Sequence, residues 1–189
     1  MLDKIIVNGL YPDFNEKKMK NANIGIKDGK IAFIGSEQPE AAEIIDAEGK
    51  VVSPGFIDIH MHEENFRKEG KKFVIARMMM EMGVTTAVGG NCGVQKQPLS
   101  IFKSVLNELG GSPVNYLILA GYNHFRTELG IGRYAHPSQA QMDELQAIMK
   151  RELAEGAYGI SFGIEYDPGI TYDEMLWAVR ASDDPHLLV

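Results

Sequence analysis

Two histidines lie at the end of a predicted strand, with a spacing that suits metal binding. His60 and His62 belong to the run Asp58-Ile59-His60-Met61-His62, which overlaps the apolar strand predicted over residues 56–60. Side chains alternate along a strand, so both imidazoles point to one side, with Cα atoms about 6.5–7 Å apart. Imidazoles at that distance can share one zinc ion. Ordinary loop histidines are the alternative, and the position between an apolar strand and a charged loop favours metal binding.

Cys92 is the third candidate metal ligand. It follows the next predicted strand, between Asn91 and Gly93, and as the one cysteine of the chain it excludes an intramolecular disulfide. A cysteine packed in a turn is one alternative, and a thiol nucleophile is another, although no base lies close to it in the sequence. Because it shares a sheet edge with His60 and His62, we favour a zinc-bound thiolate.

Other polar side chains follow the third and fourth predicted strands. Tyr166 is expected to donate a hydrogen bond to a substrate, while Glu165 and Asp167 are acid–base candidates whose default interpretation is solvated loop acids. His124 and Arg126 either bind an anionic substrate or brace the site.

Three more polar residues lie at the edges of these elements. Asp58 either holds a histidine tautomer or lines a barrel interior. His136 is expected at the start of a helix, and His186 lies at the wrong end of a strand for a site on this edge.

The order of predicted elements indicates an α/β fold with two domains. Residues 1–53 read as short strands, with hairpins at Asp28-Gly29 and around Glu48-Gly49, which predicts a small antiparallel β domain. Residues 54–189 alternate strands and helices, as in βαβ units with a parallel sheet. A doubly wound sheet and part of a (β/α)8 barrel both fit. A full barrel needs roughly 250 residues, so the chain holds about the first half of one.

The individual elements of residues 54–189 are predicted from apolar runs, glycines and one N-cap. Helices are predicted over residues 73–82, 99–109, 137–155 and 172–182, and Ser138 is the expected N-cap of the third. Strands are predicted over residues 56–60, 84–89, 114–120 and 157–164, and a further strand begins at residue 186.

Charge and hydropathy exclude several classes of partner. The chain has 26 acidic and 19 basic residues and a formal net charge of −7, which argues against nucleic acid as a partner. Apolar runs are far shorter than the roughly 20 residues of a membrane helix. The N-terminus lacks the pattern of a signal peptide, so we expect a cytoplasmic protein.

Together these motifs resemble the amidohydrolase superfamily, and within it the N-acyl-D-amino-acid deacylases (D-aminoacylases). The segment 52–62 is similar to that family's first barrel strand with its His-x-His motif, although the loop 63–66 departs from the commoner acidic pair. The narrower signal is Cys92, because D-aminoacylases use a cysteine after the second strand as a metal ligand. Hydantoinases and dihydroorotases instead use a carboxylated lysine after the fourth strand, and residues 157–164 contain no lysine.

The resemblance implies zinc bound by His60, His62 and Cys92, hydrolysis of the amide bond of N-acyl-D-amino acids, and Tyr166 near the substrate. It places further metal-binding histidines on the fifth and sixth strands and the catalytic aspartate on the eighth. We therefore expect the general base beyond residue 189, interpret the chain as an N-terminal portion, and expect weak or absent hydrolysis by it alone. The alternatives are an inactive fragment or scaffold that needs a complementing chain or a homo-oligomer, and an amidohydrolase acting on another amide.

Overall fold

The chain forms two compact units in the computed structural model, which describes all residues from 1 to 189. The units are Met1–Pro54 and Gly55–Val189. None of the helices combines the length and apolar character that a membrane span requires.

The first unit is a four-stranded sheet. Its strands lie in the order β3-β2-β1-β4, with antiparallel pairing of β1 to β2 and of β2 to β3. Asp28 and Gly29 both have positive φ, at 50° and 70°, so the hairpin predicted at this dipeptide is confirmed. The strands are β1 (Leu2–Asp13), β2 (Lys18–Lys27), β3 (Lys30–Gly35) and β4 (Ala41–Asp46).

The second hairpin, predicted around Glu48-Gly49, is wrong. Strand β4 pairs in parallel with β1, and the segment after the turn contributes a single bridge between Val51 and Leu10. Both turn residues do have positive φ. However, the turn's backbone bonds to β1, where the N–H of Gly49 donates to the carbonyl of Asn8 at 2.8 Å. The sheet is therefore mixed, because turn chemistry specifies a reversal of direction but not the strand that receives it.

The second unit alternates strands and helices, and all of its paired strands are parallel. Strands β5, β6 and β7 form one sheet in chain order, and β8 pairs with β9. The elements are β5 (Phe56–Asp58), α1 (Phe66–Glu69), α2 (Ile75–Glu81), β6 (Val84–Gly89), a 3₁₀ turn (Asn91–Gly93), α3 (Leu99–Glu108), β7 (Asn115–Ile118), β8 (Ala120–Gly121), α4 (Tyr122–Glu128), α5 (Gln139–Ala154), β9 (Ile160–Ser161) and α6 (Tyr172–Val179).

Several element boundaries differ from those predicted. No helix was predicted over residues 122–128, which form helix α4. The fourth predicted strand shortens to the two residues of β9, and the strand expected from residue 186 is reduced to one bridge between Leu188 and Gly159. The N-cap predicted at Ser138 is confirmed, since its hydroxyl accepts the N–H of Gln141 in a capping box at the start of α5.

Helix packing fixes the strand ends that carry the polar residues. Leu145 and Met149 of α5 are fully buried in a cluster that also contains Ala120 of β8 and Ile160 of β9. Burial of such side chains contributes about 1.5–3 kcal/mol each. The apolar face of α5 therefore holds the ends of β8 and β9 in place.

Candidate metal centre

His60 and His62 follow strand β5 as the chain leaves the sheet. The strand ends at Asp58, two residues earlier than predicted, because the Asp58 carboxylate accepts the backbone N–H of His60 at 3.0 Å and turns the chain. The Asp58 carboxylate contacts backbone and not a histidine ring, so the predicted tautomer role is not seen, and its place in a barrel interior stays a prediction. The two imidazole rings are perpendicular, with centroids 6.1 Å apart, and both side chains are exposed.

Cys92 lies in the turn that follows strand β6. Its φ of 56° and ψ of 26° put it in the left-handed region, and Gly90 before it also has positive φ. A non-glycine residue in that region costs about 1–2 kcal/mol. Such strain persists only where the surroundings impose it, and functional sites are where it concentrates.

The turn brings the thiol to the histidines. The Nε2 atom of His60 lies 3.2 Å from Cys92 Sγ, and one ligand atom from each of His60, His62 and Cys92 lies within 4.8 Å of the others. Ligands that share one tetrahedral zinc ion are separated by about 3.5 Å, given metal–ligand distances of about 2.0–2.3 Å. Two imidazoles and a thiolate are also a donor set that zinc accepts. The three residues therefore fit a metal ion.

Polar side chains from neighbouring strands hold the Cys92 turn. The Ser161 hydroxyl, at the end of β9, accepts the N–H of Gly93 at 3.0 Å and donates to the carbonyl of Gly90. The Asn91 amide donates to the carbonyl of Val88 at 2.7 Å. Sequence reasoning missed Ser161, because nothing marks a strand serine as a partner of a turn 68 residues away.

Tyr166 lies beside Cys92, half-exposed. Gly163 permits this approach, since a Cβ atom there would lie 2.1 Å from the Cys92 carbonyl oxygen and 2.8 Å from Cδ2 of Tyr166. The charge of a Cys92 thiolate, and after it that of Glu165, raises the pKa of the Tyr166 phenol. A phenol with its ordinary pKa of about 10 is already protonated near neutral pH, and this shift acts in the same direction, so Tyr166 can donate a hydrogen bond there.

Asn123 fixes the loop that carries Tyr166. Its side-chain oxygen accepts the N–H of Gly163 at 2.8 Å, and its amide donates to the Gly163 carbonyl at 2.9 Å and to Asp167 at 2.8 Å. Asp167 is thereby engaged in loop structure, and Glu165 is exposed. Asn123 went unrecognised in the sequence because no element was predicted over residues 122–128, and nothing local marks it as a partner of Gly163, 40 residues away.

Arg126 is remote from solvent and braces the second unit. It is 0% exposed, and its Nε donates to Glu174 at 2.7 Å, which leaves the bracing alternative and not anion binding. His124 is partly buried, 3.3 Å from Glu128, and burial lowers its pKa. His136 contacts the carbonyl of Gly169 just before α5, and His186 is exposed near the C-terminus.

The chain is similar in sequence and in structure to several deacylases. The chain is 27% identical to the D-aminoacylase of Alcaligenes xylosoxydans xylosoxydans over 94% of this chain and 41% of the relative. A crystal structure of D-aminoacylase superposes with a TM-score of 0.82 at 27% identity, covering 96% of this chain and 43% of that one. N-acyl-D-glutamate deacylase from Bordetella bronchiseptica, solved with zinc and a phosphonate inhibitor, gives 0.77 at 28% identity, covering 95% and 42%.

The chain thus spans about two fifths of the length of these relatives. The resemblance to D-aminoacylases drawn from the motifs is confirmed by these matches. A sequence model described as the amidohydrolase family matches residues 43–151, which is more than half of the chain. This protein belongs to the amidohydrolase family.

Proposed function

We propose that these residues form part of the active site of a zinc-dependent hydrolase of N-acyl-D-amino acids. The observation that carries the proposal is the convergence of one ligand atom from each of His60, His62 and Cys92 within 4.8 Å. The D-aminoacylase and N-acyl-D-glutamate deacylase relatives support the substrate class by their names. The zinc present in the related deacylase structure supports the choice of ion.

We propose that the second unit is the first half of a (β/α)8 barrel. Strands β5, β6 and β7 are parallel and adjacent in chain order, and the β8–β9 pair is parallel too. A doubly wound sheet reverses its strand order at a switch point, whereas a barrel keeps the order of the chain. Strands β5, β6 and β7 show no such reversal, so their order is the one that a barrel requires. We place the domain limits at 1–53 and 54–189.

In this proposal His60, His62 and Cys92 hold the metal and Tyr166 orients the substrate. Zinc held there would activate water as a nucleophile and polarise the acyl carbonyl. The Asp58 contact fixes the backbone of His60, and Ser161 fixes the turn of Cys92. The protonated Tyr166 phenol, whose pKa is raised by the negative charge of its neighbours, donates a hydrogen bond to the substrate.

Proton transfer is assigned to a group outside these 189 residues, as the family resemblance implies. A positioned general base contributes about 10²–10⁴-fold to rate, so we expect this chain alone to hydrolyse N-acyl-D-amino acids weakly or not at all.

The second candidate is a scaffold that requires a complementing chain or a second copy. Strand β5 lies at the edge of its sheet, and its apolar residues Phe56 and Ile57 are more than 60% exposed. Edge strands with apolar side chains favour pairing with another chain. Action on a different amide is the remaining alternative. It is distinguished by comparing N-acetyl-D-amino acids, their L enantiomers and cyclic amides as substrates.

Zinc content after gel filtration tests the metal centre. We expect about one zinc per chain in the monomer fraction after dialysis against a weak chelator, and loss of it in the double variant His60→Ala/Cys92→Ser. His186→Ala, which removes an exposed histidine away from the site, is the matched control. A zinc content that is unchanged in the double variant contradicts the proposed ligands, and elution only as a larger species favours the scaffold.

A further inference from the structure

Two neighbouring carboxylates, Glu63 and Glu64, are buried directly after the histidine pair. Each is only 2% exposed, and neither forms an ion pair. Burial of a carboxylate is unfavourable unless hydrogen bonds satisfy its oxygens. Both residues meet that requirement, but with partners in different parts of the unit.

Glu63 binds the two ends of the segment that contains Cys92. Its Oε2 accepts the N–H of Gly90 at 2.9 Å, and its Oε1 accepts the N–H of Lys96 at 2.6 Å. The carboxylate approaches closely because Gly89 has no side chain, since a Cβ there would lie 3.0 Å from Oε2. One side chain therefore fixes where the segment 90–96 starts and where it ends.

Glu63 also follows His62 directly in the chain, so it connects both halves of the metal centre. A shift of the loop after β5 would move the histidines and, through Glu63, the turn of Cys92 together. The left-handed backbone of Cys92 needs such restraint, since it relaxes unless its surroundings hold it. The Ser161 contacts restrain the turn from the side of β9, whereas Glu63 restrains it from the side of the histidines.

We propose that Glu63 is a positioning residue that sets the Cys92 thiolate against His60 and His62 for metal binding. This inference rests on the proposed function. Groups that orient metal ligands from outside the ligand set change metal affinity by about 10–100-fold when they are removed.

Glu64 provides a matched control within the same loop. Its Oε1 accepts the N–H of Ala76 at 2.9 Å, and its Oε2 accepts the hydroxyl of Tyr116 at 2.5 Å. Its exposure equals that of Glu63, but its side chain has no hydrogen bond to segment 90–96. Variants of Glu64 therefore alter an equally buried carboxylate of the same loop without touching segment 90–96, so an effect on metal binding is expected from Glu63 variants alone. The Glu→Asp pair is the closer structural match, because the Tyr116 hydroxyl can accept from the amide of Glu64→Gln, whereas both partners of Glu63 are backbone N–H donors.

Cadmium titration of the full chain separates the two roles. Cadmium bound to a thiolate gives an ultraviolet charge-transfer band, and this band reports Cys92 alone because the chain has one cysteine. We expect Glu63→Gln to weaken cadmium binding by about tenfold or more, and we expect Glu64→Gln to remain close to the unmodified chain. In Glu63→Gln the amide presents an N–H to one of the two backbone donors, so one of the two hydrogen bonds is lost.

The outcomes distinguish the inference from the function on which it rests. Equal cadmium affinities for Glu63→Gln and Glu64→Gln overturn the positioning role and leave the metal centre intact. No band in the unmodified chain overturns the metal centre, and the inference with it. If circular dichroism shows that Glu63→Gln does not fold, the pair Glu63→Asp and Glu64→Asp keeps both charges. The shorter Glu63→Asp side chain cannot reach both donors, so we again expect weaker cadmium binding in the Glu63 variant than in the Glu64 variant. Equal cadmium affinities of Glu63→Asp and Glu64→Asp would contradict the positioning role.

Discussion

The imidazole of His60 and the thiol of Cys92 lie 3.2 Å apart across a sequence separation of 32 residues. Two local backbone features produce this contact. A turn at Asp58 directs His60 away from strand β5, and a left-handed residue after strand β6 directs Cys92 toward it. Because β5 and β6 are parallel neighbours, both features act at the same edge of the sheet.

The left-handed conformation of Cys92 predicts a conflict between stability and metal binding. Replacement by glycine removes the steric cost of φ 56°, so Cys92→Gly should raise the free energy of unfolding by about 1 kcal/mol relative to Cys92→Ala. Both variants lose the thiolate and should lose the cadmium charge-transfer band. Urea denaturation of chelator-treated protein measures the difference, and equal stability of the two variants would contradict a strained turn.

Gly163 should tolerate no side chain, because it separates Cys92 from Tyr166. A Cβ atom there meets the carbonyl oxygen of Cys92 at 2.1 Å, so Gly163→Ala must displace the turn. We expect a loss of about 1–3 kcal/mol in the free energy of unfolding, together with weaker metal binding. Gly132→Ala is the control, since the nearest atom to its Cβ lies at 4.0 Å. Thermal unfolding and cadmium titration of both variants measure the two effects. Similar stability and cadmium affinity of Gly163→Ala and Gly132→Ala would contradict the need for a glycine between Cys92 and Tyr166.

Local signals predicted the parts of the fold that depend on neighbouring residues. The turn at Asp28-Gly29 and the cap at Ser138 follow from side-chain and backbone preferences within a few positions, and both are confirmed. Helix α4 has no side-chain N-cap, so nothing local marks its beginning. Burial of Tyr122 and Phe125 and the ion pair of Arg126 with Glu174 stabilise it instead, and such tertiary contacts cannot be read from the segment alone.

In the candidate site, the metal ligands could be predicted from the sequence and the residues that support them could not. His60, His62 and Cys92 were identified because their residue types and their positions after strands suggest metal binding. Their supporting partners Ser161 and Glu63 have no such signal. Ser161 acts on a turn 68 residues away, and Glu63 accepts backbone N–H groups that any sequence would offer. Pairing of strand β4 was misassigned for the same reason, as the receiving strand β1 is distant in sequence.

The buried pair of Arg126 and Glu174 should be a stabilising contact without a role in metal binding. Glu174 accepts Nε of Arg126 at 2.7 Å and the hydroxyl of Tyr122 at 3.0 Å. Glu174→Gln removes the nearer counter-charge of the buried guanidinium and leaves Asp167, 3.7 Å from Nη1, as the remaining one. We therefore expect a loss of up to about 3 kcal/mol in the free energy of unfolding. Asp173→Asn, an exposed neighbour in helix α6, should change it little. If folded Glu174→Gln binds cadmium with an affinity different from that of the unmodified chain, the Arg126–Glu174 pair does more than brace the fold.

Tyr116 should make the stability of the chain depend on pH in the alkaline range. Burial, then its hydrogen bond to Glu64, raises the pKa of this phenol above its ordinary value of 10.0. The unfolded chain releases the proton near pH 10 while the folded chain retains it, so this stabilisation is complete below pH 10 and is lost as the pH rises toward the folded pKa. In Tyr116→Phe the decline of unfolding free energy above about pH 10 should be shallower, by up to about 1.4 kcal/mol per pH unit.

Urea unfolding of the unmodified chain and of Tyr116→Phe at a series of alkaline pH values measures this slope. Tyr158→Phe removes an exposed phenol and should leave the slope unchanged. All other ionisable groups are common to the proteins that are compared, so their contributions cancel. Identical slopes for Tyr116→Phe and the unmodified chain would mean that the phenol ionises equally in the folded and unfolded states, and that its contact with Glu64 does not hold the proton.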